Sequence, residues 1–339
     1  MGLIPQRSSA KRHLTLSELS LGCAQLGNLY REVSDADARA TVDAAWEQGV
    51  RYFDTAPHYG LGLSERRLGS ALADRPRREF MLSSKVGRLL EPLDPIEGLD
   101  DQGFMVPATH RRVWDFSRDG IRRSLEASLQ RLGLDRLDLI YLHDPDDHWE
   151  DVLASGYPAL DELRSEGIVS AIGAGMNQSA MLADLVRETS VDVLMLAGRY
   201  TLLEQDCLDD LLPLCETRGV AVVAAGVFNS GLLAQPSPSP NAKYDYAEAP
   251  PDRVERARAV AAVCERHGTT LPAAAIAFPL AHPAVVSVCV GARSAAQMER
   301  NAALFREAIA PDLWSELKAE RLLREDAPVP GSSKEEAER

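Results

Sequence analysis

Two apolar patterns alternate along this chain. Short, almost wholly apolar runs such as Leu139–Leu142 and Val220–Val227 are separated by longer stretches in which apolar residues recur every three or four positions. Ile121, Leu125, Leu129 and Leu132 form one such stripe, which predicts a helix burying one face and ending at Gly133. Val42, Ala45 and Trp46 form another, opened by a capping-box pattern from Ser34 to Asp37 and closed by Gly49. The continuous runs centre near residues 22, 52, 83, 140, 172, 194, 223 and 289. Strands apolar on both faces belong to a parallel sheet covered on both sides. Eight strand–helix units predict an α/β fold, a (β/α)8 TIM barrel. A doubly wound open sheet is the alternative, but no glycine-rich fingerprint opens the first strand–helix turn.

Two segments break the alternation. One follows the third strand, a Pro- and Gly-containing stretch from Leu90 to Trp114; the other, Gln235 to Pro251, is rich in Pro, Ser, Tyr and Asn. Loops after barrel strands lie over the mouth of the barrel, so both are candidates for covering a substrate or cofactor. The predicted organisation is an N-terminal tail over 1–16, a single barrel over 17–325 with long loops near 88–116 and 235–251, and a disordered charged tail over 326–339.

Composition narrows the function. Among 339 residues, 37 basic against 51 acidic side chains give a net charge of −14, which argues against nucleic-acid or anionic-membrane partners. The five cysteines form no CxxC pair, and the N-terminus carries no apolar signal core, so reduced thiols in a cytoplasmic protein are expected. No apolar run approaches the ~20 residues of a membrane span.

The candidate chemistry sits at strand ends. Val50-Arg51-Tyr52-Phe53 closes on Asp54, with Tyr59 one turn later; the next strand leads into Lys85 and the fourth into His143. A tyrosine with an ordinary pKa of about 10 works as an acid–base group near neutrality only beside a positive charge. Lys85 would supply that charge, Asp54 would hold Lys85, and His143 would meet the substrate oxygen. This combination suits proton transfer to a carbonyl or from a hydroxyl. Two other chemistries use the same residues. His143-Asp144-Pro145-Asp146-Asp147-His148 suggests a metal site, although Pro145 breaks helical register and no HxH motif precedes it, so no metal ligand is assigned. Lys85 would serve a Schiff-base aldolase.

The segments Gly49–Gly60, Ser64-Glu65, Ser84-Lys85-Val86 and Tyr141–Asp146 together resemble those of the aldo-keto reductases, in order and with suitable spacing. The resemblance spans roughly residues 17 to 320. It implies a TIM barrel that uses NADP or NAD without a Rossmann domain, with Tyr59 as acid–base, Lys85 and Asp54 as its tuning pair and His143 as carbonyl orienter. It further implies Asn177 on the nicotinamide carboxamide and Tyr200 stacked on the nicotinamide ring. Met176 and Ala197 stand where the family usually has Ser and Gln. Phe228, Asn229, Ser230, Gly231 and Leu232 would bind the pyrophosphate, and Gly291, Arg293, Ser294, Gln297 and Asn301 the adenosine phosphate. His110 and Trp114 are candidates for the substrate pocket.

Several noncatalytic phrases, including Val86–Leu90 and Phe228–Gly231, resemble a branch of that family acting on free sugars. That implies oxidation of an aldose of L-fucose or D-threo type at C1 to the lactone. Conversion of another aldehyde such as pyridoxal, or a coenzyme-binding regulatory module without turnover, are the alternatives. The partner is a small sugar or aldehyde; oligomeric state, and NAD against NADP, are left open.

Overall fold

Eight parallel strands close on themselves in a computed structural model that describes residues 3–12 and 14–331. They are β1 (Leu19–Gly22), β2 (Tyr52–Asp54), β3 (Met81–Val86), β4 (Leu139–His143), β5 (Ala171–Met176), β6 (Val193–Ala197), β7 (Ala221–Ala225) and β8 (Val285–Gly291). Each pairs with its sequence neighbours, and β8 returns to β1 through Val290 opposite Leu21. All eight predicted strands are present, and the fold is a (β/α)8 barrel.

Side-chain alternation divides the core into two layers. Tyr52, Leu139, Tyr141, Val193, Met195 and Val223 fill the barrel interior, while Phe53, Ile140, Leu142, Ile172 and Leu194 face the helices. Because successive strand residues point to opposite faces, Ser83 and Lys85 share one side of β3 and Ser84 takes the other. The helices form for local reasons as well. Ser117 accepts from Gly120 N at 3.0 Å to open the helix Arg118–Leu132, and Gly133, with φ 67°, closes it. Its buried Ile121, Leu125 and Leu132 each contribute on the order of 2 kcal/mol. At Ser34 the hydroxyl accepts from Asp37 N, and Asp37 Oδ2 accepts from that hydroxyl at 2.7 Å. Packing is tight enough that a Cβ at Gly69 would lie 2.1 Å from the Leu132 carbonyl oxygen.

The two ends of the chain carry more structure than their sequences suggest. Gln6–Ser8 pairs antiparallel with Thr15–Ser17, and Leu14 and Leu16 plug the barrel floor. Arg7 fastens this hairpin to the carbonyls of Leu280 and Val285, both at 2.8 Å. At the other end, in the tail expected from 326, Ala327 is buried in the core and Asp326 is paired to Arg324. Charge density concealed these anchors, because each needs a partner distant in sequence. Positions 332–339 lie outside the described residues. No helix among the described residues is long and apolar enough to cross a membrane.

Candidate active site

The ends of β2, β3 and β4 bring the four expected catalytic side chains to the barrel mouth. Lys85 Nζ lies 2.6 Å from Asp54 Oδ2, 3.0 Å from the Thr55 carbonyl and 3.2 Å from Tyr59 Oη. Ser83 donates to the other Asp54 oxygen at 2.7 Å, and Tyr52 bridges Ser83 at 2.9 Å and Tyr141 at 3.1 Å. Asp54 is thereby fixed from both sides. On the outer face of β3, Ser84 donates to Glu65 at 2.7 Å and Arg131 pairs with Glu65 at 2.6 Å, which braces the strand behind Lys85. The His143 ring stands perpendicular to Tyr59, with centroids 5.8 Å apart.

Electrostatics set the resting protonation states. Burial alone would push the Lys85 ammonium down, but Asp54 and Tyr59 outweigh it and hold it above its ordinary value. Burial pushes the Tyr59 phenol up, and the neighbouring Lys85 charge offsets only part of that rise. The resting site therefore holds a neutral phenol beside a lysinium. Burial, together with the nearby Arg88 and Lys85, drives His143 well below the usual imidazole range, so it is neutral. His58 follows the same logic, pushed down to about 2.

A cavity of about 790 Å³ opens onto Asp54, Tyr59, Lys85 and His143. Asn177, Phe228, Asn229, Ser230 and Gly231 also bound it, as do Gly291, Arg293, Gln297 and Asn301. Tyr200, Leu232 and Ser294 do not. The Tyr200 ring is buried between Phe278, 5.1 Å away, and His282, 6.0 Å away. The chain turns at Gly198, with φ 68°, and the tyrosine then faces the helical layer, away from the cavity where ring stacking on a nicotinamide was expected. Leu232 is fully buried in the core. Ser294 caps the helix Ala295–Phe305 by accepting from Gln297 N, while Gln297 Oε1 accepts from Arg293 N at 3.1 Å.

The substrate candidates also separate. His110 sits opposite Pro92 at the far end of the hairpin Arg88–Pro92/His110–Trp114, bonded to Thr109, and lies outside the cavity. The antiparallel pairing carries it away from the mouth. Trp114, at the near end, lines an adjoining polar cleft. Phe104, inside the same insertion, is buried beside Tyr59 at a ring separation of 6.1 Å. The second long segment crosses the mouth. Arg199 clamps Asp245 at 2.8 and 3.0 Å, and Lys243 lies 4.1 Å over the Tyr30 ring. Gln25, Arg88, Arg300 and Tyr246, which no sequence motif singles out, also line the cavity or the cleft, as does Asp144, which is named above only in the metal motif. Gln25 and Asp144 follow strand ends, the position that drew attention to Asp54, so that signal was available.

The residues fit a nicotinamide dinucleotide. Gly226, with φ 62°, and Gly231, with φ 106°, let the backbone turn into the cavity wall, and the Asn229 side-chain oxygen is buried without a partner among the described residues. The Asn229, Gly231 and Leu232 amides are already bonded inside their turn, so this part of the wall presents side chains more than free amides. Among the described residues no group of His, Cys, Asp and Glu is arranged to hold a metal ion. His148 instead packs on Trp114 and Phe116, at 5.0 and 5.4 Å.

The family model of the aldo/keto reductases matches residues 18–320, and the chain belongs to that family. It is an oxidoreductase dependent on NAD(P). It is 49% identical to a D-threo-aldose 1-dehydrogenase of Pseudomonas over 93% of this chain and 97% of that one. It is 40% identical to a pyridoxal 4-dehydrogenase of Microbacterium luteolum, over 94% and 98%. Among solved structures it is similar to the holo form of an aldo-keto reductase from Bacillus halodurans, with a TM-score of 0.74, 25% identity and coverage of 97% and 99%.

Proposed function

We propose that this oxidoreductase oxidises an aldose at C1 to the lactone, with Tyr59 as the proton-transfer group. The observation that carries the proposal is the Tyr59–Lys85–Asp54 chain, linked at 3.2 and 2.6 Å and open to the large cavity. Bound NAD(P)⁺ supplies the acceptor for the hydride lost from C1. Tyr59, as phenolate, takes the C1 hydroxyl proton, and the C1–O bond becomes the lactone carbonyl. Lys85 stabilises that phenolate, and Asp54 keeps Lys85 charged and aimed. Neutral His143 orients the substrate oxygen. In the reverse direction neutral Tyr59, its resting form, donates the proton.

Asn177, Phe228, Asn229, Ser230, Gly231, Gly291, Arg293, Gln297 and Asn301 are the residues that would hold the coenzyme. Support for the sugar comes from the 49% identity to the aldose dehydrogenase over nearly the full length of both chains. A pyridoxal-type aldehyde is the second substrate reading, favoured by the 40% relative. Five unpaired, buried cysteines support a reducing, cytoplasmic setting. The test is coenzyme titration by tryptophan quenching, followed by a panel of aldoses and aldehydes. Coenzyme binding with aldose-dependent NAD(P)H formation is expected. Binding without turnover of any panel member would instead make the protein a coenzyme-binding module.

A further inference from the structure

Beside His143 the barrel mouth widens into a polar cleft bounded by Arg88, Trp114, Asp144 and His148. Asp144 borders this cleft and the main cavity alike. Its backbone is held in the left-handed region at φ 40°, an uncommon conformation for a residue other than glycine, and its amide is tied to the Gly175 carbonyl at 3.0 Å. Strain of this kind persists where surrounding structure enforces it. Asp144 Oδ2 lies 2.5 Å from Arg88 Nη2 and 3.7 Å from His143 Nε2. The Arg88 guanidinium is stacked 4.3 Å over the Trp114 ring, and its Nε is buried without a partner among the described residues. Trp114 itself is 41% exposed, so part of its surface is open.

We propose that Asp144 and Arg88, with Trp114 as an apolar floor, bind the hydroxyl on the carbon next to the reacting one and its neighbour along the sugar, and so select polyhydroxylated aldoses over deoxy or apolar aldehydes. This rests on the reading of Tyr59 and His143 as the site that meets the C1 oxygen. An aldose bound there carries its next hydroxyl past His143 toward the Asp144 carboxylate. A carboxylate accepts hydroxyl protons, a guanidinium donates to hydroxyl oxygens, and a flat indole covers the C–H face of a sugar ring. Burial raises the Asp144 carboxyl against the opposing pull of Arg88, so added hydroxyl donors would relieve an under-solvated anion. An aldehyde without neighbouring hydroxyls would cover the pair and leave it unsatisfied.

The test compares kcat/KM for NAD(P)⁺-dependent oxidation of L-fucose and 2-deoxy-L-fucose, with NAD(P)H-dependent reduction of a simple aliphatic aldehyde as a third reaction, in the native enzyme and in Asp144→Ala and Asp144→Asn. The native enzyme is expected to favour the hydroxylated sugar by about 100-fold or more, because a site built to bond a hydroxyl rejects the analogue lacking it. Asp144→Ala should reduce that ratio at least tenfold, and Asp144→Asn, which keeps one oxygen acceptor, should fall between. Coenzyme titration of each variant reports whether it has folded. A native enzyme that turns over the aldehyde but shows no preference between the sugars would overturn the subsite alone. Equal losses on both sugars in Asp144→Ala would also overturn it, placing the effect on His143. Coenzyme binding with no turnover of any of the three would overturn the catalytic reading and this inference with it.

Discussion

Lys85 and Asp54 form an ion pair at 2.6 Å with both side chains only 3% exposed. An ion pair so deeply buried contributes little net stability, yet losing one partner strands the other charge. Asp54→Asn is therefore expected to destabilise the fold by about 3 kcal/mol. Asp54→Leu combined with Lys85→Met should recover much of that loss while remaining inactive. Urea unfolding of the three proteins checks the first half and turnover checks the second. A single mutant as stable as the native protein would mean that water reaches the pair.

Burial keeps Tyr59 neutral at rest, and this sets the pH dependence. In the proposed mechanism oxidation needs the phenolate, so its rate should climb with pH by about tenfold per unit while proton transfer limits turnover. Reduction uses the neutral phenol and should stay flat over the same range. His143 is held neutral far below the usual histidine range, so no inflection from an imidazole should appear between about pH 5 and 8. Initial rates in both directions across pH 5 to 10 check this. Tyr59→Phe should keep coenzyme affinity and lose nearly all turnover.

Arg293 borders the cavity, and burial with the nearby Arg31 charge lowers its guanidinium pKa. A basic site of this kind gains from an anion. Arg293→Ala is expected to weaken NADPH binding by about tenfold, a charge-assisted hydrogen bond's worth, and NADH binding by less. Equal losses for both coenzymes in fluorescence titration would place Arg293 on the adenine or the shared phosphates.

Tyr200 has a buried hydroxyl with no partner among the described residues. Removing an unsatisfied buried hydroxyl relieves a desolvation cost, so Tyr200→Phe should equal or exceed the native stability by up to about 1 kcal/mol. Coenzyme affinity should not change. A marked loss of NAD(P)H binding would return Tyr200 to the cofactor site.

The contrast between Tyr59 and Tyr200 shows what sequence reading reaches. Both tyrosines follow barrel strands within a few residues. Tyr59 stands in a segment where a carboxylate, a lysine and a histidine recur at successive strand ends, and strand parity alone sends all of them inward. Tyr200 had only a short stretch of resemblance, and the turn at Gly198 takes it to the other side of the strand. The same limit hid the anchoring of Ala327 and the outward position of His110.

The sequence by itself determined the barrel, because hydrophobic period and eightfold alternation are local properties that survive without knowledge of contacts. It also determined that Asp54, Tyr59, Lys85 and His143 meet at one rim, since parallel strands in a closed barrel bring their ends together. Only the tertiary structure decided which residues wall the cavity, that burial outweighs Lys85 in setting the Tyr59 resting state, and that Arg88, Trp114 and Asp144 share one cleft. Those outcomes depend on loop paths and desolvation, and both arise from contacts between segments far apart in the chain.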